Sequence, residues 1–179
     1  MSRHSICTLA LALMIATGQL FAQVKPAAPP QAPQDPLAPV AWFVGGDWVS
    51  EVKDNSDGSV THVDNRIRWS PNHQAIVFNV EFNGKPHYDG FYAYNPASKK
   101  IEFFYTNSEG QLTIGTATPD ADSKTLHQEF DIMHPDGTTE HLRSTIERDG
   151  NDAYWFSVLM SKSGNWEQVF RIHYVRKPE

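Results

Sequence analysis

The residues best suited to chemistry are the histidines, and their spacing is the first thing to weigh. Seven of the chain's eight lie beyond the first 22 residues: His62, His73, His87, His127, His134, His141 and His173. None belongs to an HExxH motif or forms a tight pair. His127 and His141 share a sequence face with Glu129, Asp131 and Glu147. That face lies opposite Leu126, Phe130, Leu142 and Ile146, which makes it a solvated charge ladder rather than a metal centre. Neither GxSxG nor SxxK occurs, so no serine is set up as a nucleophile. The single cysteine, Cys7, lies in an apolar run near the start of the chain. The rest has no thiol for catalysis, disulfides or metal binding. No residue is assigned a catalytic or metal-ligating role, and no cofactor is expected from local motifs.

Aromatic residues are the other resource. Trp69, Tyr88, Tyr92, Tyr94, Phe103, Phe104, Tyr105, Trp155, Phe156 and Trp166 are spread over several short segments. Rings suit pleated surfaces and cores in any case. Gathered on one side of a closed sheet, they would line a pocket for a flat or apolar molecule. Trp48, Trp69, His87, Tyr88, Tyr92, Tyr105, Trp155 and Trp166 are the residues expected to touch such a ligand. Gly90, on the same face as Tyr88, Tyr92 and Tyr94, is expected to leave space beside them.

The elements that must position these rings are strands. From Gly46 to Arg176 the chain alternates with period two and is broken every 8–12 residues by turn clusters, the signature of an all-β sandwich or barrel. The expected strands are 46–52, 60–69, 74–82, 87–94, 100–106, 111–118, 124–134, 138–148, 152–162 and 166–176. One hairpin fixes a register. With Gly137 in a left-handed turn conformation, His134 pairs with Thr138, Phe130 faces Leu142, and Leu126 faces Ile146. Glu129 then faces Arg143, and Asp131 faces His141. One side is apolar and the other is charge-matched, as cross-strand pairing favours. Ten strands on short loops remove their edges by closing, so a ten-stranded antiparallel up-and-down barrel is expected, with a sandwich as second choice. About eight strands are filled by their own side chains, and ten leave room inside. On the last strand, alternation places Trp166 with Phe170, Ile172 and Tyr174, and His173 opposite with Arg171.

The start of the chain reads as an export signal. Arg3 precedes an apolar run from Ile6 to Ala16, and Leu20-Phe21-Ala22 ends in a small residue before Gln23. Residues 1–22 are therefore expected to be a cleaved signal peptide, too short in its apolar part for a span of about 20 residues. Residues 23–40 are proline-rich and read as a semi-rigid spacer, and 41–179 as the folded domain. The chain carries 15 Lys and Arg against 21 Asp and Glu. Loss of Arg3 makes that 14 against 21, a net charge near −7, which disfavours nucleic acid and anionic membrane surfaces. A periplasmic or secreted protein without disulfides is the expectation.

Gly46-Asp47-Trp48 opens the first strand, and Arg171 and Arg176 lie on the last, where an arginine could cover the Trp48 ring. This resembles the G-x-W and late-arginine pattern of the lipocalins and the wider calycin group. The run Tyr88-Asp89-Gly90-Phe91-Tyr92-Ala93-Tyr94-Asn95-Pro96, with Tyr105, Gly110 and Gly115 beyond it, resembles an uncharacterised bacterial family of exported lipocalin-like domains. Asn95 stands where that family has aspartate. The resemblance spans about residues 42–176 and implies a calycin-like barrel. More distantly it extends to the nitrobindins, which bind haem through a histidine near the C-terminus, a position that would fall to His173. Three functions stay open: a carrier of a small apolar or aromatic molecule, an enzyme or haem protein on the same scaffold, and an interaction module with a solid barrel.

Overall fold

The computed structural model describes residues 35–54 and 56–178. The expected signal peptide and most of the expected spacer lie outside them. Ten strands follow one short 3₁₀ helix, η1 (Ala38–Phe43). They are β1 (Gly46–Lys53), β2 (Val60–Trp69), β3 (Ala75–Phe82), β4 (Lys85–Asn95) and β5 (Lys100–Asn107), then β6 (Leu112–Pro119), β7 (Thr125–Met133), β8 (Thr139–Arg148), β9 (Ala153–Lys162) and β10 (Asn165–Arg176). Each strand pairs antiparallel with its sequence neighbours, and β10 returns to β1, giving a closed up-and-down barrel.

Alternation explains the sheet. In β7 Leu126, Gln128 and Phe130 are buried while His127, Glu129 and Asp131 are exposed, the period-two pattern of a strand with one wet face. The β7–β8 register pairs Leu126 with Ile146, Phe130 with Leu142, Glu129 with Arg143 and Asp131 with His141. Its turn has His134 N–H donating to the Thr138 carbonyl, with Gly137 at φ 84°. The hairpin is the one read from the sequence.

Two β-bulges alter what simple alternation gives. In β10, pairing with β9 slips between Gln168 and Phe170, leaving Val169 unpaired. The extra residue moves everything before it to the other face. Trp166 therefore points outward, not inward with Phe170 and Ile172 as uninterrupted alternation suggests. In β4, pairing with β3 slips between Val80 and Glu81, and His87 is the extra residue.

One end of the barrel is sealed by η1. Leu37, Val40 and Phe43 are all buried. Their spacing of three matches the 3.0 residues per turn of a 3₁₀ helix, so they share one face, and a proline at its start suits the first turn. The folded domain thus begins before residue 41, because two residues assigned to the spacer, Leu37 and Val40, belong to the core. Trp48 Nε1 donates to the Phe43 carbonyl at 2.8 Å, tying η1 to β1. The Arg176 guanidinium lies 4.4 Å from the Trp48 ring centre, closing first strand on last through the expected cation–π contact. A side chain at Gly46 would collide with that guanidinium, which accounts for the glycine.

Candidate functional site

Inward-facing side chains pack tightly beneath η1 and loosen toward the opposite end. Trp48, Ile76 and Leu126 are fully buried near η1, whereas Phe170 and Met160 at the far end are 40% and 37% exposed. Between them lies a cavity of about 490 Å³. It is within the size range of pockets that bury a small organic molecule. Ten strands leave a hollow that their own side chains do not fill, as strand count implies.

Rings form much of the wall. On β3, β4 and β5, Phe78 lies 5.5 Å from Tyr92 and 5.9 Å from Tyr105, Tyr88 lies 5.5 Å from Tyr105, and Phe82 lies 5.9 Å from Tyr88. On β9 and β10, Tyr154 stacks on Tyr174 at 4.8 Å, with Phe156 and Phe170 beyond them. Such pairs hold each other at fixed angles, each contributing about 0.5–1.5 kcal/mol beyond its buried area. Gly90 opens no space here. A Cβ at that position would meet the Phe104 carbonyl, Tyr105 and the Phe78 ring, so those groups occupy the room that the missing side chain leaves.

A thin set of polar groups interrupts the apolar wall. Ser144 Oγ donates to Gln128 Oε1 at 2.6 Å, and Gln128 Nε2 donates to the Tyr92 hydroxyl at 2.9 Å. Asn65 Nδ2 donates to the Tyr154 hydroxyl at 3.0 Å, while Asn65 Oδ1 is buried without a partner. Among the described residues no charged side chain lines the cavity. Burial pushes the Tyr105 phenol up to about 12. It raises those of Tyr88, Tyr92, Tyr154 and Tyr174 as well. All five are neutral hydrogen-bonding groups at ordinary pH. Their hydroxyls can orient a neutral molecule within the cavity.

Of the eight residues expected at a ligand, Tyr88, Tyr92 and Tyr105 line the cavity. Trp48 is buried at the sealed end against Tyr154, with ring centres 4.9 Å apart. Trp69 packs on the core and stacks with His73. His87, displaced by its bulge, stacks on Phe82 at 4.3 Å, its Nδ1 2.7 Å from Ser108 Oγ, and does not line the cavity. Trp155 and Trp166 are outside, each under an arginine: Arg171 lies 4.2 Å from Trp155, and Arg143 lies 4.3 Å from Trp166. His173 is also outside, stacked on Trp155 and 3.1 Å from Asp149. It is not placed to reach a ligand in the barrel. Asn65, Gln128 and Ser144 were not singled out from the sequence. Their signal was a polar residue at the inward parity of apolar strands, as in Val63-Asp64-Asn65-Arg66-Ile67.

The histidines outside sit among carboxylates. His141 Nδ1 is 2.7 Å from Asp131, and its Nε2 is 3.1 Å from Glu129, which also accepts from Arg143 at 3.2 Å. Among the described residues no group of three or more His, Cys, Asp and Glu could hold a metal ion. Exposed ion pairs run across this outer face, Glu129 with His141 and Arg143 and Asp131 with His141.

No family model matches the chain, and no curated protein matches it. Among solved structures it is similar to the crystal structure of Rv2717c from M. tuberculosis, with a TM-score of 0.56 at 14% identity. The match covers 82% of this chain and 99% of that one. At that identity the likeness shows the fold. It is a shared barrel.

Proposed function

We propose that this protein is an exported container: a barrel that holds a small, neutral, largely apolar molecule against its tyrosine and phenylalanine rings. The observation that carries this reading is the cavity of about 490 Å³, with no charged side chain on its wall among the described residues. An ion buried there would lose its hydration without a counter-charge, a cost that a neutral guest avoids. Apolar surface leaving water supplies the affinity, at roughly 25 cal/mol per Å² before the cost of immobilising the guest. The outward face, with ion pairs such as Arg66–Glu81 and Arg143–Glu129, suits water rather than lipid. Export rests on the charge, apolar run and small residue of positions 1–22, and an N-terminus at Gln23 in secreted protein would support it.

Native mass spectrometry of gently isolated protein should show a species heavier than the bare chain. Titration with the uncharged dye Nile red should show saturable fluorescence. Val158→Trp, which fills the cavity, should weaken that binding by about tenfold or more, some 1.4 kcal/mol. Trp166→Ala, on the outer face, should leave it unchanged. Dye binding that survives the first change and fails with the second would place the ligand elsewhere.

A further inference from the structure

A container reading leaves open which functional group the guest carries, and the polar groups of the wall bear on that. Their hydrogen bonds run in one sense. Ser144 gives its hydrogen to Gln128, and Gln128 gives one to the oxygen of Tyr92. Asn65 likewise gives one to the oxygen of Tyr154. In both places the amide hydrogen ends on a phenol oxygen, so the phenol's own hydrogen is not consumed. Tyr174, stacked on Tyr154, makes no side-chain hydrogen bond among the described residues. Tyr92, Tyr154 and Tyr174 all line the cavity. Asn65 Oδ1 is buried behind the wall and offers no acceptor to the cavity.

Among the described residues, the phenol hydrogens of Tyr92, Tyr154 and Tyr174 therefore meet no side-chain acceptor, and no cation lines the wall beside them. A phenol hydrogen that a guest shuts off from water without giving it an acceptor is destabilising. A guest bearing an acceptor oxygen would satisfy it. A guest bearing only donors would oppose it, and polar sites discriminate strongly when a partner is missing. An anion could accept as well, but among the described residues no positive side chain lines the cavity to balance its charge.

We propose that the cavity selects a flat, neutral ring compound that presents a carbonyl-type oxygen to Tyr92, Tyr154 and Tyr174. This rests on the container reading and adds the chemical class of the guest. Burial supports it by holding these phenols protonated, and so as donors, above the usual range.

Fluorenone and fluorene share one tricyclic skeleton and differ by the carbonyl. By apolar area alone fluorene should bind at least as well. Calorimetric titration of the full mature chain should instead show fluorenone tighter by about three- to tenfold, the effect of one hydrogen bond. A fluorenone carboxylate should bind more weakly than either. The combined change Tyr92→Phe, Tyr154→Phe and Tyr174→Phe should abolish the preference while fluorene still binds. Each single change, with folding checked by circular dichroism, gives the same reading should the triple variant fail to fold. Fluorene equal to or tighter than fluorenone in the unaltered protein, or a fluorenone advantage that survives every variant, overturns this inference and leaves the container standing. Failure of both compounds to bind overturns both.

Discussion

His141 is held by carboxylates on both ring nitrogens, an arrangement only the doubly protonated imidazolium can satisfy. The hydrogen bond to Asp131 does most to raise its pKa above 6.5, and Glu129 adds to it. A raised folded-state value means that the stabilisation is complete below the unfolded value of about 6.5 and is lost as pH climbs through the folded one. About half of the side chain is exposed, so the effect should stay within the 0.2–1 kcal/mol of surface ion pairs. Urea unfolding should thus show stability falling as pH rises above about 6.5, with His141→Gln removing part of that slope. An identical slope in the variant would deny the imidazolium this role. That Asp131 faces His141 was legible in the sequence, because a single turn glycine set the register. The sides taken by Trp166 and His87 were not. Each lies at or beyond an inserted residue, Val169 or His87 itself, and alternation carries no record of an unpaired residue. Gly90 misled for a related reason: an inward glycine looks like empty space in a sequence, but the rings of Phe78 and Tyr105 have closed over it.

The strand order, the boundaries to within a couple of residues and the closure were readable from turn clusters and period-two alternation. The 3₁₀ plug was not, since six residues are too few to show a helical stripe and the surrounding prolines read as spacer. Nor could a sequence show how unevenly the barrel closes. β1 and β2 pair along eight positions, from Gly46 opposite Ile67 to Lys53 opposite Val60. β1 and β10 pair only at Trp48 with Arg176 and Val49 with Val175. Beyond that point a slot opens between Ser50–Lys53 and the Arg171–His173 part of β10, and Val52, Val63 and Ile172 border both slot and cavity. Backbone groups facing the slot lack a ladder partner, so this seam should be the first to open. Hydrogen exchange measured by NMR should find the β10-facing amides of Ser50–Lys53 least protected among strand amides, and those between β3 and β4 far more so. Equal protection on both sides of β1 would mean that the seam is sealed in solution.

For the molecule as a whole, the ring-lined interior ties folding to the neutral state of its phenols. An unfolded tyrosine ionises near 10.0, whereas Tyr105 in the barrel is pushed up to about 12 and Tyr92, Tyr154 and Tyr174 are raised too, chiefly through desolvation. The stability these groups confer is complete below pH 10 or so and is lost as pH rises toward their folded values, because the unfolded chain releases its protons first. Between about pH 10 and pH 12 the tyrosinate absorbance should therefore appear together with loss of the β-sheet circular dichroism, in one cooperative step. Absorbance from several tyrosines growing while the sheet stayed intact would show that water and hydroxide reach the cavity freely. A guest adds a second dependence. A ligand that binds only the folded barrel stabilises it by RT ln(1 + [L]/Kd), about 2.7 kcal/mol at a hundredfold excess over Kd. The alkaline midpoint should then rise with the concentration of any molecule that occupies the interior. A compound adsorbed indifferently to the outer face of folded and unfolded chains would leave it where it was.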